Sequence, residues 1–132
     1  MNKYSDDVRK HLDYIEATIS RMANDSFLTR GWGITVITAI AISFSKSLDL
    51  LTSIIGLLIT LIFWILDSYY LALEREYRKL YGKVISYPNE TDYNMKVSLT
   101  IKTQLSAMFS YIFWVSYMLL SIVWICLIIW IK

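Results

Sequence analysis

Cysteine, proline and histidine are nearly missing from this chain, which has one of each and four glycines in 132 residues. The lone cysteine, Cys126, excludes a disulfide within the chain and a cysteine metal site. It falls deep in an apolar run, where a buried and inert thiol is expected. So little proline and glycine argues against disorder. Glycine-rich phosphate loops and the GxSxG and HExxH patterns are missing too. The carboxylates interleave with bases at helical spacing, as in Asp6–Lys10, Arg9–Asp13 and Glu74–Arg78. That is the pattern of surface ion pairs rather than acid–base chemistry. The chain therefore reads as a non-enzyme, with no catalytic residue, cofactor or metal expected. His11 lies beside an apolar stripe and is expected to be a satisfied interface histidine. A net charge of only +2 gives no overall basic character that would point to nucleic acid.

What is abundant is hydrophobicity: 56% of residues, with a mean hydropathy of +0.46. It is gathered into long runs, which points to a bilayer. Three spans are predicted. The first runs from Gly31 to about Ser45, with Trp32 at its interface, and the second from Leu50 to Leu66. The joint KSLD at 46–49 makes them a hairpin. The third lies between Lys102 and Lys132, where no charged residue occurs. The first 30 residues contain no apolar signal core, so insertion is expected to be directed by these later segments. None of the spans holds an ionisable group in its interior, which counts against a proton-coupled transporter.

Two further helices are predicted outside the spans. Ser5 is a plausible N-cap for residues 5–23, with Asp6 and Asp7 favoured in the first turn by the helix dipole. Val8, Leu12, Ile15, Ile19 and Met22 then share one face. The second span continues past Leu66 without a breaker, and Leu66, Tyr70, Leu73, Tyr77, Leu80 and Val84 repeat with the same seam-like period. A helix over 50–85 would be about 54 Å long, with roughly 20–25 Å outside the bilayer core. The two stripes are expected to pair. Residues 86–94 form a turn-rich loop around Pro88 and Asn89. Residues 96–108 are ambiguous: Val97, Leu99 and Ile101 alternate as in a strand, and Ile101, Leu105 and Met108 fit a helix. Helix is the preferred reading.

The fold class is thus an all-α membrane protein with three transmembrane helices and a cytoplasmic helical layer. Its parts are residues 1–30 (amphipathic helix), 31–66 (transmembrane hairpin), 67–102 (helical extension and loop) and 103–132 (third transmembrane helix). Lysine and arginine cluster in 1–30 and 67–102, so these parts are placed in the cytoplasm and the C-terminus outside, periplasmic in a bacterial inner membrane. Thr52, Gly56 and Thr60, and Ser106 and Ser110, are small residues four apart. They serve either contacts within the chain or an oligomer interface.

Some residues stand out as candidates for function. Arg75, Lys79 and Lys83 form a cationic ridge on the extension, suited to lipid headgroups or to a polyanionic ligand. Lys10 and Arg21 flank Tyr14, the base-plus-aromatic composition of single-strand nucleic-acid grooves. Arg30 and Asp67 end apolar runs at similar depth, and would be either a structural pair or a charged ring at a pore mouth.

Two stretches, ISRMANDSFLTRGW at 19–32 and FWILDSYYLALEREYRKLY at 63–81, together resemble the transmembrane effectors of Hailong-type anti-phage systems. The resemblance covers about residues 8–85. It implies an oligomeric inner-membrane channel, a tetramer by preference. A partner nucleotidyltransferase would make single-stranded DNA oligomers that hold it closed, and loss of that ligand during infection would open it and depolarise the cell. Two other readings remain open: a non-conducting adaptor or scaffold that docks a cytoplasmic partner, and a holin- or toxin-like pore without ligand control.

Overall fold

A computed structural model describes residues 5–43 and 49–131. Its elements are α1 (Asp6–Ser43), α2 (Leu50–Ser86), a 3-10 turn at Pro88–Glu90, α3 (Ile101–Met108) and α4 (Tyr111–Ile131). Helices α1, α2 and α4 are each long and apolar enough to cross a membrane. The centre of the fold is α2, on which α1, α3 and α4 all pack.

Helix starts are set locally. Val8 N donates to Ser5 Oγ at 3.4 Å, and Asp6 and Asp7 occupy the first turn of α1. Asp49 caps α2, accepting from Thr52 N at 2.9 Å. Hydrogen bonding from the Thr52 side chain, and after it this backbone bond, holds the Asp49 carboxyl below its ordinary value of 3.8. A lowered carboxyl favours the folded cap at all pH above the unfolded value. The contribution is lost as pH falls through the lowered one. The protection of the Thr52 and Ser53 amides, measured against their intrinsic exchange at each pH, is therefore expected to fall below about pH 4, and to be low at every pH in Asp49→Ala. The rest of the KSLD joint, residues 46–48, lies outside the described residues.

The amphipathic segment and the first span are one helix, not two. Nothing in the NDSFLTR stretch at 24–30 breaks α1. The buried face runs on through Met22, Ser26, Gly33 and Ile37. At Gly33 a Cβ would lie 3.0 Å from Phe63 Cγ, so this glycine lets α1 come close to α2.

Beyond the apolar runs, Val8, Leu12 and Ile15 of α1 and Val84 of α2 form a buried cluster. Ile19, Tyr77, Leu80, Tyr81 and Met95 pack against it. Each such buried aliphatic side chain contributes roughly 1.5–3 kcal/mol. The α2 stripe turns away at its membrane end. Leu66 is 44% exposed, and the buried face there is Asp67, Ser68 and Ala72. In water, apolar side chains are driven inward; against lipid they gain nothing by it, so small and polar residues take the helix contact.

Residues 96–100 are not helical, and α3 begins only at Ile101. The segment 91–100 is irregular. Its strand-like alternation has a counterpart in burial: Met95, Val97 and Leu99 are half-buried, while Lys96, Ser98 and Thr100 are exposed. One face of an extended segment can be covered by packing without any strand partner. Nor is the run from 103 to the C-terminus one helix: α3 and α4 are separated at Phe109 and Ser110. No proline or glycine marks this break. It is stabilised from α2. Arg75 Nη1 donates to Ser106 O at 3.3 Å, Arg75 Nη2 to Ser110 Oγ at 3.0 Å, and Trp64 Nε1 to Met108 O at 3.2 Å. These side chains satisfy carbonyls that the end of α3 leaves without a helical partner.

Candidate functional site

Where the apolar runs end, three helices meet at one carboxylate. Asp67 of α2 is wholly buried. Ser26 Oγ of α1 donates to Asp67 Oδ1. Arg30 Nε, also of α1, donates to Asp67 Oδ2 at 3.0 Å, and Tyr117 Oη of α4 donates to the same oxygen at 3.1 Å. The Arg30 guanidinium lies 4.2 Å from the centre of the Phe113 ring of α4. A buried carboxylate is tolerated only when its lone pairs are matched in this way. Arg30 and Asp67 thus form a pair inside one chain. Ser26 and Tyr117 escape sequence reasoning, since each is an ordinary residue of its helix until the fold brings it to Asp67.

Below this network, away from the charged end, the helix contacts are narrow. Thr52, Ser53, Gly56 and Thr60 are the buried residues of α2 there. A Cβ on Gly56 would lie 2.5 Å from Trp124 Cζ2 of α4. Gly56, the middle of the Thr52–Gly56–Thr60 row, therefore seats α4 within the chain. Ser106 and Ser110 instead serve Arg75. Cys126 is exposed on the surface of α4 rather than buried; α4 packs only one side against α2, through residues such as Tyr117 and Trp124.

On the charged side, α2 and α3 border a groove of about 560 Å³ whose walls include Arg75, Arg78, Lys79 and Lys102. Glu76 also lines it and pairs with Lys79 at 2.6 Å, while Arg78 pairs with Glu74 at 2.8 Å. The groove thus has four cations against one lining carboxylate. It can take an anion. The ridge residues do not act alike. Arg75 is engaged with the α3–α4 joint, Lys79 is in an ion pair, and Lys83 lies exposed near Glu90 and Asp92, beside a separate hollow. Lys102 of α3 joins Arg75, Arg78 and Lys79 of α2 only through the fold.

On α1, Lys10 and Tyr14 border a second groove with Asp7, His11, Tyr93 and Met95; Arg21 is exposed and does not line it. His11 is 5% exposed, yet among the described residues its Nε2 has no hydrogen-bond partner. It is therefore not a satisfied interface histidine. The segment that covers it, around Tyr93, carries no helical or strand signal that would have placed it there. Comparisons with protein-family models, curated proteins and solved structures give no match to this chain.

Proposed function

We propose that the chain is the subunit of an oligomeric channel in a bacterial inner membrane, gated by an anionic nucleotide or oligonucleotide on its cytoplasmic side. Its role would be that of an anti-phage effector that depolarises the cell when open. One observation carries this reading. The cationic groove lies directly beside the joint between α3 and α4, and Arg75 belongs to both. A phosphate in the groove competes with Ser106 and Ser110 for the Arg75 guanidinium. Ligand occupancy and the placement of α4 are then linked, as gating by differential binding requires. The continuity of α2 from apolar run to groove gives the coupling a stiff path.

Several choices follow from this reading. The cluster of lysine and arginine in 1–30 and 67–102 supports a cytoplasmic groove and helical layer in this reading. The close packing of Trp124 on Gly56 supports an ion path between copies rather than through one, in a tetramer by the Hailong-type resemblance. The same resemblance supplies the partner, a nucleotidyltransferase that makes single-stranded DNA oligomers. The Arg30–Asp67 pair acts in this scheme as a structural clasp rather than as an open pore mouth.

The test is membrane potential, read with a voltage-sensitive dye in cells carrying the chain and its neighbouring genes. Arg75→Ala, Lys79→Ala and Lys102→Ala together are expected to shift the ligand requirement for gating by about ten-fold or more, since charged hydrogen bonds contribute about 1.5–3 kcal/mol each. An unchanged response would remove the groove from the mechanism. A potential that stays steady both at rest and under phage challenge would favour the adaptor reading. Depolarisation by the chain alone, insensitive to any oligonucleotide, would favour the uncontrolled pore.

A further inference from the structure

One face of α2 changes character along its length. Leu58, Ile62, Ile65 and Tyr69 follow one another at spacings of four, three and four, and all are exposed. Ala72, Glu76 and Lys79 continue the same line into the wall of the groove between α2 and α3. A bare apolar track therefore leads up α2 to a cationic groove.

The opposite wall is divided in the same way. Lys102, Thr103 and Ser106 of α3 line the groove. Beside them Ile101 and Leu105, with Phe109 just after the helix, stand four apart and exposed. Ile101 is 78% exposed. Such a stripe on a short helix is poorly placed in water. It is well placed at the boundary of headgroups and acyl chains, where lipid covers the apolar side and the polar side stays wet. The depth agrees. Arg75 Nη2 reaches Ser110 Oγ, one residue before α4 begins, and Glu74 is the first charged residue of α2 after Asp67. With α2 and α4 across a bilayer, the groove lies at the level of the headgroups.

The charge of the groove is only partly balanced. Arg78 and Lys79 have Glu74 and Glu76. Arg75 touches the uncharged oxygens of Ser106 and Ser110, and Lys102 has no ion-pair partner among the described residues. Two cations on facing walls are left for an anion. We propose that this groove holds the headgroup of an anionic phospholipid, its phosphate between Arg75 and Lys102 and an acyl chain along Tyr69, Ile65 and Ile62. Basic pockets beside membrane helices take anionic headgroups in this manner. A phosphate is the chemistry that a lipid headgroup and a soluble nucleotide share. The apolar track and the exposed stripe of α3 favour the lipid, since a soluble anion leaves both uncovered. The site does not require that the chain conducts. In the ligand-gated reading, the headgroup is what a soluble anionic ligand displaces from Arg75.

The full chain in mild detergent would be titrated with dioctanoyl phosphatidylglycerol, and bound lipid counted by native mass spectrometry. Dioctanoyl phosphatidylcholine and glycerol 1-phosphate are the controls. Saturable binding of one phosphatidylglycerol per chain is expected, with no saturation by glycerol 1-phosphate over the same range. Phosphatidylcholine is expected to bind at least about ten-fold more weakly, because each basic side chain near an anionic headgroup is a factor of about five. Lys102→Gln is expected to weaken phosphatidylglycerol binding about five-fold on the same ground. Lys102 is exposed, so this variant keeps the fold. Lys83→Gln, beside a separate hollow, is expected to bind as the parent does. Equal binding of the two lipids, or parent-like binding by Lys102→Gln, would overturn the proposal. Saturation by glycerol 1-phosphate at the lipid's own midpoint would overturn it too, and would make the groove a site for soluble phosphates. Lipid is read here by mass and gating by membrane potential, so the two ideas can fail separately.

Discussion

Asp67→Ala is expected to destabilise the folded chain by about 3 kcal/mol, seen as a lower unfolding midpoint in detergent or nanodiscs. Three donors converge on this carboxylate: Ser26 and Arg30 of α1 and Tyr117 of α4. Removing it orphans all three at once. Breaking a buried ion pair costs about 3–5 kcal/mol; the lower end applies because Arg30 is partly exposed and can turn toward water. Ser26→Ala and Tyr117→Phe each remove one bond, with an expected cost of about 1 kcal/mol. A double-mutant cycle between Tyr117→Phe and Ser26→Ala should show coupling, because the two hydroxyls share one acceptor group. If Asp67→Ala unfolds at the parent's midpoint and instead alters the ion preference of a conductance, the clasp is wrong and the pore-mouth alternative for Arg30 and Asp67 returns.

Gly56→Leu is expected to cost about 2–3 kcal/mol and to displace α4. Even the first carbon of a side chain at position 56 would stand 2.5 Å from Trp124 Cζ2, against a large ring in the middle of a helix contact. Trp124 is 2% exposed, so its ring has little room to turn aside. Trp124→Ala in the same chain is expected to restore most of the loss, since it opens the space that leucine needs. That reversal separates a contact within the chain from an oligomer interface. If Gly56→Leu leaves thermal stability intact and only breaks the assembly into single copies, as read by native mass spectrometry, the small-residue row belongs between subunits.

Much of the helical architecture could be read from local signals. Asp6, Asp7 and Asp49 mark helix starts. The stretch after Leu50 has no proline before Pro88, and α2 runs to Ser86 through Gly56 and Gly82. The seam of Val8, Leu12, Ile15 and Val84 followed from spacing in segments beyond the apolar runs. The break at Phe109 and Ser110 was not legible, because its cause is 31 and 35 residues away, in the hydrogen bonds from Arg75. The alternation of Val97, Leu99 and Ile101 is visible in the sequence, but the absence of a strand partner favours helix there, and only the packing shows that 96–100 is extended without one.

The candidate sites divide in the same way. Arg30 and Asp67 could be set at one depth because each flanks an apolar run, whereas Ser26, Tyr117 and Lys102 gain meaning only from what they meet. Spacing and composition by themselves settled helix type, the course of α2 and the apolar runs, because those depend on near neighbours and on the solvent each segment prefers. The tertiary structure alone decided which face of α2 is buried near the membrane, where the last helix divides, and which polar atoms meet or are left without a partner. In lipid an apolar side chain has no preference between helix and solvent, so the choice of face passes to small residues and to hydrogen bonds, and those come from parts of the chain far apart in sequence.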